Sequence, residues 1–229
     1  MRARPPIHLH HVSTDEVFGS RDGLDACAED SPYRPNSPYA ASKASSDHLV
    51  RAYAKTYGIS STLSNSSNNY GPRQFPEKLI PLMILNMLDR QPLPVYGDGA
   101  HVRDWVYVDD HVEAVWQILR GGLPGTTYNV GGRTERANLV LLTELIRIVS
   151  EESAIPVREL ESLVTFVTDR PGHDRRYAVD CSKIERDLGW SPRHKLSDGL
   201  RETVRWYVSH EPWVTHVRTG AYRTSDKGR

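Results

Sequence analysis

The chain has 229 residues with Lys+Arg and Asp+Glu equal at 29 each, so its formal net charge at pH 7 is zero. A balanced charge excludes a net electrostatic attraction to nucleic acid or to an anionic membrane, and we expect neither as a partner. No apolar run approaches the ~20 residues of a membrane span, no signal peptide is visible, and the two cysteines lie far apart, so we expect a cytoplasmic protein.

The first predicted element is a short strand over residues 7–12, in which apolar residues alternate with histidines. Because side chains alternate across a strand, His8 and His10 should lie on one face and His11 on the other. This separation disfavours a shared metal ion, and we predict no metal site. The strand runs into the polar residues 14–16, at the end where open α/β sheets bind their ligands.

A long helix is predicted next, with Ser37 as its N-cap, Pro38 at its first position and Gly58 at its C-terminal end. A second strand over residues 61–64 then runs into turn-forming residues between positions 66 and 72. This second polar loop after a strand should lie at the same edge of the sheet as the first.

The later elements continue the alternation of helices and strands. They are a helix over residues 79–88, a strand and turn over 93–99, a helix that reaches Arg120, a strand over 127–130 and an amphipathic helix over 139–151. We expect Asp110 and Glu113 to form a capping box that opens the helix ending at Arg120. The order of elements is typical of an α/β protein with a parallel sheet.

The predicted sheet lacks one expected feature. Dinucleotide-binding sheets carry a glycine-rich phosphate fingerprint in the first strand-to-helix turn, and no such cluster precedes a helix here. We therefore expect a partial Rossmann-like parallel sheet whose N-terminal half is missing, with a small mixed α/β substrate-binding domain. The predicted boundaries are 1–73, with return elements at about 104–132, for the first domain, and 74–103 with 133–229 for the second.

Tyr39 and Lys43 lie four residues apart at the start of the first helix, so both should project from one face. Making a tyrosine a base at neutral pH requires its pKa to fall by about 3, which corresponds to about 4 kcal/mol. A cation ~4 Å away at an effective dielectric of ~20 supplies about that much. The pair is either a lysine-activated base or an ordinary tyrosine and lysine on a solvated helix face.

Thr14, Asp15 and Glu16 place a hydroxyl and two adjacent carboxyls after the first strand. Two carboxyls in one pocket repel each other, so one tends to keep its proton while the other ionises. The triplet thus offers a general acid beside a general base. The alternative is a helix N-cap or a solvated acidic turn.

Several segments, in this order, together indicate a family. They are residues 11–19, 37–47, 68–72, 75–81, 103–105, 128–132 and 169–174. Together they resemble the extended short-chain dehydrogenase/reductase family, and within it most closely the dTDP-glucose 4,6-dehydratases. The Thr-Asp-Glu triplet discriminates most, because the epimerases and decarboxylases of the same fold lack the paired acids at that point.

The resemblance implies an NAD-dependent lyase that converts dTDP-glucose to dTDP-4-keto-6-deoxyglucose, the step that begins deoxysugar pathways such as dTDP-rhamnose biosynthesis. Tyr39 would deprotonate the 4-hydroxyl, Thr14 would hydrogen-bond that oxygen, and Lys43 would lower the pKa of the tyrosine and hold the nicotinamide ribose. Glu16 would remove the proton on C5 while Asp15 protonates the departing 6-hydroxyl. The resemblance also implies a homodimer formed through the Tyr39–Lys43 helix together with a helix of the missing N-terminal half.

The binding residues follow from the same resemblance. Asn68 would contact the substrate diphosphate and Asn69 the cofactor, and Tyr222 is a weaker candidate for the nucleotide base. The nucleotide pocket would comprise Lys78, Leu79, Pro94, Val95, Tyr96, Arg103, Asn138, Asp169, Arg170 and His173. Arg103 would bind phosphate oxygens through its guanidinium, or else form an ordinary ion pair with Asp104 or Asp109. A catalytically inert fragment that still binds a nucleotide sugar is the alternative function.

Overall fold

The computed structural model describes residues 7–21, 23 and 25–221, which form two compact units. The first unit contains the described residues up to 69, together with 101–136 and 170–193. The second contains 70–100, 137–169 and the described residues from 194 onward. No helix among the described residues has the length and apolar character needed to cross a bilayer.

The first unit is built on a parallel sheet with strand order β1-β2-β6, formed by His8–Thr14, Ser60–Ser66 and Thr127–Val130. A second sheet has the order β3-β5-β7, formed by Asn68–Tyr70, Val102–Tyr107 and Glu135–Ala137. The helices of this unit are α1 (Pro38–Tyr57), α3 (Val108–Gly121) and α6 (Ser182–Leu188), with a one-turn 3-10 helix over Asp15–Phe18. The predicted α/β class with a parallel Rossmann-like sheet is thereby confirmed.

Strand β2 is buried although six of its seven residues are polar. The imidazoles of His8 and His10 account for this, because their nitrogens lie 2.7–3.1 Å from the hydroxyls of three β2 residues, Ser60, Thr62 and Ser64. Buried polar groups are tolerated when they are hydrogen-bonded to one another. His11 instead lies 3.0 Å from Asp47 on α1, so the predicted split of the histidines between two faces is confirmed.

The ends of α1 follow the predicted chemistry. The Ser37 hydroxyl accepts a hydrogen bond from the backbone N–H of Ala40 at 3.1 Å. Gly58 has a φ of 67° and donates its N–H to the carbonyl of Ala54 at 3.0 Å, the left-handed ending that glycine favours. Both predicted ends of the helix are therefore confirmed.

The predicted capping box at Asp110 is wrong. Helix α3 begins two residues earlier, at Val108, without a side-chain cap. The Asp110 carboxylate accepts the backbone N–H of Arg193 at 3.0 Å, and Glu113 accepts a hydrogen bond from Gln117 at 2.9 Å. Both carboxylates accept hydrogen bonds from groups other than the first backbone N–H groups of α3. The spacing of the two acidic residues therefore did not indicate a cap.

The second unit is mainly helical, with α2 (Leu79–Leu88), α4 (Asn138–Ser153), α5 (Val157–Glu161), α7 (Leu196–Ser209) and α8 (Glu211–Arg218). Strands β4 (Leu93–Tyr96) and β8 (Val164–Val167) pair in parallel. Helix α4 packs against both α2 and α7. Fully buried apolar residues from all three helices fill this core: Ile80, Ile84, Met87, Leu141, Leu145, Val149, Leu200 and Val204.

Residues 170–193 belong to the first unit, whereas the sequence analysis placed them in the second domain. Two isolated parallel bridges explain the difference, because Val179 pairs with Cys27 and Arg176 pairs with Val102. The following helix, α6, also packs against β6. Neither long-range pairing has a local signal in the sequence.

Candidate active site

The acidic pair lies at the carboxyl end of β1. The Thr14 hydroxyl accepts the backbone N–H of Glu16 at 3.3 Å and donates to the Asp15 carboxylate at 3.3 Å. Asp15 is 3% exposed, and burial, reinforced by the charges of Glu16 and Asp104, raises its pKa to about 8. This raised pKa is what the prediction of one protonated carboxyl requires. Thr14 also acts as the N-cap of the 3-10 helix over Asp15–Phe18, as one of the alternatives predicted. The other alternative, a solvated acidic turn, does not apply to the buried Asp15.

Tyr39 lies beside this pair, on the first turn of α1. Its side chain is half exposed, and the Thr14 hydroxyl is among the groups that act on its phenol. Partial burial and the negative charges of Glu16 and Asp15 raise the pKa of Tyr39 above its ordinary value. The phenol and the two carboxyls therefore lie close enough to interact electrostatically.

The expected lowering of the tyrosine pKa by Lys43 is wrong for this structure. The Lys43 ammonium donates to the backbone carbonyl of Val12 at 2.8 Å, which directs its charge toward β1. The groups that act on Tyr39 are Thr14, Asp15 and Glu16, and the carboxylates dominate over the hydroxyl. The lysine thus fastens α1 to the strand that precedes the acidic pair.

Arg103 is buried next to the same carboxyls. Its guanidinium donates to the backbone carbonyls of Val102 at 2.7 Å and Asp174 at 2.9 Å. It also lies over the ring of Tyr177, with Cζ 4.4 Å from the ring centroid. The proposed surface ion pair with Asp104 or Asp109 is therefore not how this arginine is held.

Asp104 supports the loop that carries the two predicted asparagines. Its buried carboxylate accepts hydrogen bonds from the Ser67 hydroxyl at 2.7 Å and from the backbone N–H groups of Gly132 and Thr134 at 2.8 and 2.6 Å. Beside Ser67, the side-chain oxygen of Asn68 is buried and has no hydrogen-bond partner among the described residues. An oxygen of this kind is free to accept a hydrogen bond from a ligand.

A buried network links α1 to the end of β1. The Asp47 carboxylate, which is inaccessible to solvent, lies 3.0 Å from His11 and accepts hydrogen bonds from Ser13 and Tyr33 at 2.8 Å each. The Tyr33 hydroxyl in turn accepts from Arg51 at 2.9 Å. These contacts hold the helix of Tyr39 against the strand of Thr14.

An apolar groove in the second unit brings together five of the predicted nucleotide-pocket residues. The groove encloses about 340 Å³ of space, part of it open to solvent, and is lined by Leu79, Met83, Pro94, Val95, Tyr96, Asn138, Leu141, Leu142 and Leu145. The Asn138 side-chain oxygen is buried and has no hydrogen-bond partner in the described part of the chain. One polar acceptor among apolar walls is typical of a site for a flat, polar-edged ring.

The remaining predicted residues occupy other positions. Lys78 is exposed and pairs with Glu77 at 3.4 Å, and Asp169 lies against the Gly97 turn that follows Tyr96 in the second unit. In the first unit, Arg170 lies 3.1 Å from His173. Tyr222 lies outside the described residues.

The sequence did not reveal the organising role that several side chains have in this site, namely Tyr33, Asn36, Asp47, Asp104, Asp174 and Tyr177. Their partners are distant in sequence: Asn36 lies 138 residues from Asp174, for example. Asp47, Asp104 and Asp174 do fall inside segments that carried the resemblance. Their position in those segments was a sign that these aspartates matter, but it did not indicate which residues they contact.

Comparison with known proteins gave consistent matches. The sequence profile of the family described as GDP-mannose 4,6 dehydratase matches residues 1–203. The dTDP-glucose 4,6-dehydratase of Neisseria meningitidis serogroup B is 53% identical over 226 residues, covering 97% of this chain and 64% of the relative. DesIV, a dTDP-glucose 4,6-dehydratase from Streptomyces venezuelae crystallised with NAD and TYD bound, is 47% identical with a TM-score of 0.84.

A protein of different activity is also similar in structure. The UDP-glucuronic acid 4-epimerase of Bacillus cereus, solved with UDP-glucuronic acid and NAD, matches with a TM-score of 0.77 at 30% identity, over 87% of this chain and 60% of that one. The DesIV match covers 92% of this chain and 62% of DesIV. The chain therefore spans less than two thirds of the length of these relatives.

Proposed function

The chain belongs to the GDP-mannose 4,6 dehydratase family, and from this membership we propose that it carries the catalytic residues of an NAD-dependent dTDP-glucose 4,6-dehydratase. One observation supports this assignment above all: the phenol of Tyr39 and the carboxyls of Asp15 and Glu16 interact at the end of β1. The choice of dTDP-glucose among nucleotide sugars rests on the Neisseria and Streptomyces relatives.

In the proposed reaction, Asp15 already has the protonation state that suits its role, whereas Tyr39, whose pKa is raised in this structure, must lose its proton before it can act as a base. Asp15, with a pKa of about 8, holds a proton at neutral pH that it can give to the departing 6-hydroxyl. Glu16, adjacent in the chain, acts as the base that removes the proton on C5. Thr14 hydrogen-bonds the 4-oxygen, while Tyr39 accepts the proton of the 4-hydroxyl.

The residues of the first unit fit a nicotinamide cofactor. Tyr39 is half exposed beside Thr14, and the Asn68 oxygen is a buried acceptor without a partner in the described ranges, so polar groups are available to a ligand at this sheet edge. Tyr39, Lys43 and Asn69 would hold the nicotinamide end. NAD, when bound, supplies the oxidation at C4 and the later reduction at C6.

The groove in the second unit is proposed to hold the nucleotide. Its apolar side chains would cover the faces of the base, and the buried oxygen of Asn138 would accept a hydrogen bond from its edge. Because every residue of the groove lies in the second unit, binding can persist without turnover. A nucleotide-sugar-binding protein without dehydratase activity is therefore the second candidate.

Two measurements on the 229-residue chain separate these functions. Calorimetry with dTDP tests binding, and mass spectrometry of dTDP-glucose with added NAD tests for the loss of one water. Binding with turnover supports the enzyme, binding without turnover supports the binding protein, and the absence of both contradicts the proposal.

Variants assign each activity to its residues. We expect Asn138→Leu to weaken dTDP binding about tenfold, because a hydrogen bond to a buried acceptor is lost. Thr143→Leu is the matched control, since Thr143 is an exposed residue on the same helix outside the groove. Asp15→Asn should abolish water loss while leaving dTDP binding unchanged. Equal effects of Asn138→Leu and Thr143→Leu would contradict the role of the groove.

A further inference from the structure

We propose that Asp174 is a positioning residue, which holds Arg103 beside the Asp15–Glu16 pair and ties it to the loop that precedes Tyr39. The inference rests on the proposed function for the roles of Tyr39 and the acidic pair. The contacts that support it lie within the first unit.

Asp174 is 5% exposed, and both of its carboxylate oxygens accept hydrogen bonds. One oxygen accepts from the side-chain amide of Asn36 at 2.6 Å, and the other from the Tyr177 hydroxyl at 2.5 Å. Asn36 directly precedes Ser37, the N-cap of the helix that carries Tyr39. The carboxylate thus joins the start of α1 to the segment around Tyr177.

The same residue fixes Arg103 in two ways. Its backbone carbonyl accepts the guanidinium Nη2 at 2.9 Å, and its carboxylate holds the ring of Tyr177 under the guanidinium. A buried arginine loses many side-chain conformations on folding. The Tyr177 ring against its face and the Asp174 carbonyl at its edge together select a single conformation. Loss of the Asp174 carboxylate would free both Tyr177 and the loop at Asn36.

The position of Arg103 matters because of the charges around Asp15. Glu16 and Asp104 raise the pKa of Asp15, whereas Arg103 and the hydrogen bond from Thr14 lower it. Tyr39 and Cys27 are the other titratable groups that interact with this carboxyl. If Arg103 moved away, the balance would shift toward the protonated acid, which would then release its proton less readily.

Titration of Asp15 by NMR of the full chain with ¹³C-labelled aspartate tests this proposal, with Asp15→Asn used to assign the signal. We expect Asp174→Ala to raise the pKa of Asp15 by about 1, because Tyr177 and the loop at Asn36 no longer hold Arg103 in its position beside the acidic pair. The sign is diagnostic: direct loss of a nearby negative charge would lower that pKa. Asp174→Asn keeps two hydrogen-bonding atoms in place and should not raise it.

Three further variants make the outcome decisive. Asp180→Asn removes an exposed carboxyl from the same segment and should leave the Asp15 titration unchanged, and Arg103→Met should raise the pKa at least as much as Asp174→Ala. If Asp174→Ala fails to fold by near-ultraviolet circular dichroism, Tyr177→Phe decides, because it removes only the hydroxyl bound to Asp174.

A rise of the Asp15 pKa in folded Asp174→Ala, or in Tyr177→Phe where that variant decides, supports the proposal. An unchanged or lowered pKa overturns it, as does an equal rise in Asp180→Asn. The titration needs no substrate, so a chain that fails to dehydrate dTDP-glucose still gives a result. Failure of the proposed function and failure of this inference are therefore distinguishable.

Discussion

Three buried aspartates of the first unit differ in the number of donors that surround them. Asp47 and Asp104 each have three hydrogen-bonding partners, whereas Asp15 has one long hydrogen bond, from Thr14, and two acidic neighbours. All three are at most 3% exposed, so burial alone does not distinguish them. With few donors to offset it, burial raises the pKa of Asp15, as the role proposed for it requires.

The protonation of Asp15 should also be visible in stability. An acid whose pKa is about 8 when folded and about 3.8 when unfolded binds a proton in the folded state that the unfolded state releases between those pH values. Its contribution therefore destabilises the fold increasingly as pH rises from 4 to 8. We expect Asp15→Asn to increase the free energy of unfolding at pH 8 by about 5 kcal/mol.

Urea unfolding followed between pH 4 and pH 8.5 measures this difference. The advantage of Asp15→Asn should shrink toward pH 4, where the wild-type carboxyl is protonated in the folded state and only partly ionised in the unfolded one. Asp180→Asn controls for removing an exposed carboxyl. A stability difference that does not vary with pH would show that Asp15 is not protonated through burial.

At the scale of elements, α1 carries Tyr39 on its first turn, and the two ends of the helix can be weakened separately. Ser37→Ala removes the side-chain cap, and Gly58→Ala places a side chain at a φ of 67°, so each should cost about 1 kcal/mol. Only Ser37→Ala should disturb the turn of Tyr39. Amide hydrogen exchange at Ala40 and Ala41 should therefore accelerate about fivefold in Ser37→Ala and stay unchanged in Gly58→Ala.

Equal acceleration in both variants would mean that α1 opens as one unit. In that case Ser37 would contribute to the stability of the helix without specifically ordering the turn of Tyr39. The comparison is matched, because both substitutions introduce alanine at an end of the same helix.

The elements that the sequence predicted well are those fixed by local chemistry. The ends of α1 depend on Ser37 and Gly58 themselves, and α2 runs from Leu79 to Leu88 as its apolar pattern indicates. Strand β2 was predicted too short, because its burial depends on histidines more than 50 residues away. The hydrogen bond from Lys43 to the carbonyl of Val12 also had no local signal in the sequence. For that reason the predicted lowering of the Tyr39 pKa by Lys43 was wrong.

At the scale of the whole molecule, the groups proposed for chemistry and the groove proposed for the nucleotide base lie in different units. The acidic pair, Tyr39 and Arg103 lie in the first unit, and the apolar groove lies in the second. This separation predicts that turnover and binding respond to different substitutions.

The outer surface of α1 bears on self-association. Leu49, Tyr53 and Tyr57 are 53–69% exposed and recur every four residues, so they form one apolar stripe, in which the two tyrosine rings lie 5.2 Å apart. Contiguous apolar stripes on a surface mark interaction sites, and the predicted homodimer would use this helix. We expect the double substitution Leu49→Glu and Tyr53→Glu to shift the mass in sedimentation equilibrium from dimer to monomer.

The control adds the same charge to a second exposed apolar stripe. Val112 and Trp116 on α3 are 59% and 54% exposed, and Val112→Glu with Trp116→Glu should leave the dimer intact. A twofold symmetric interface uses the same patch on both subunits, so the two glutamates on α1 place like charges on both sides of the interface and dimerisation should weaken steeply. A monomer at every concentration of the unmodified chain, or equal dissociation in the α3 variant, would contradict an interface formed by α1.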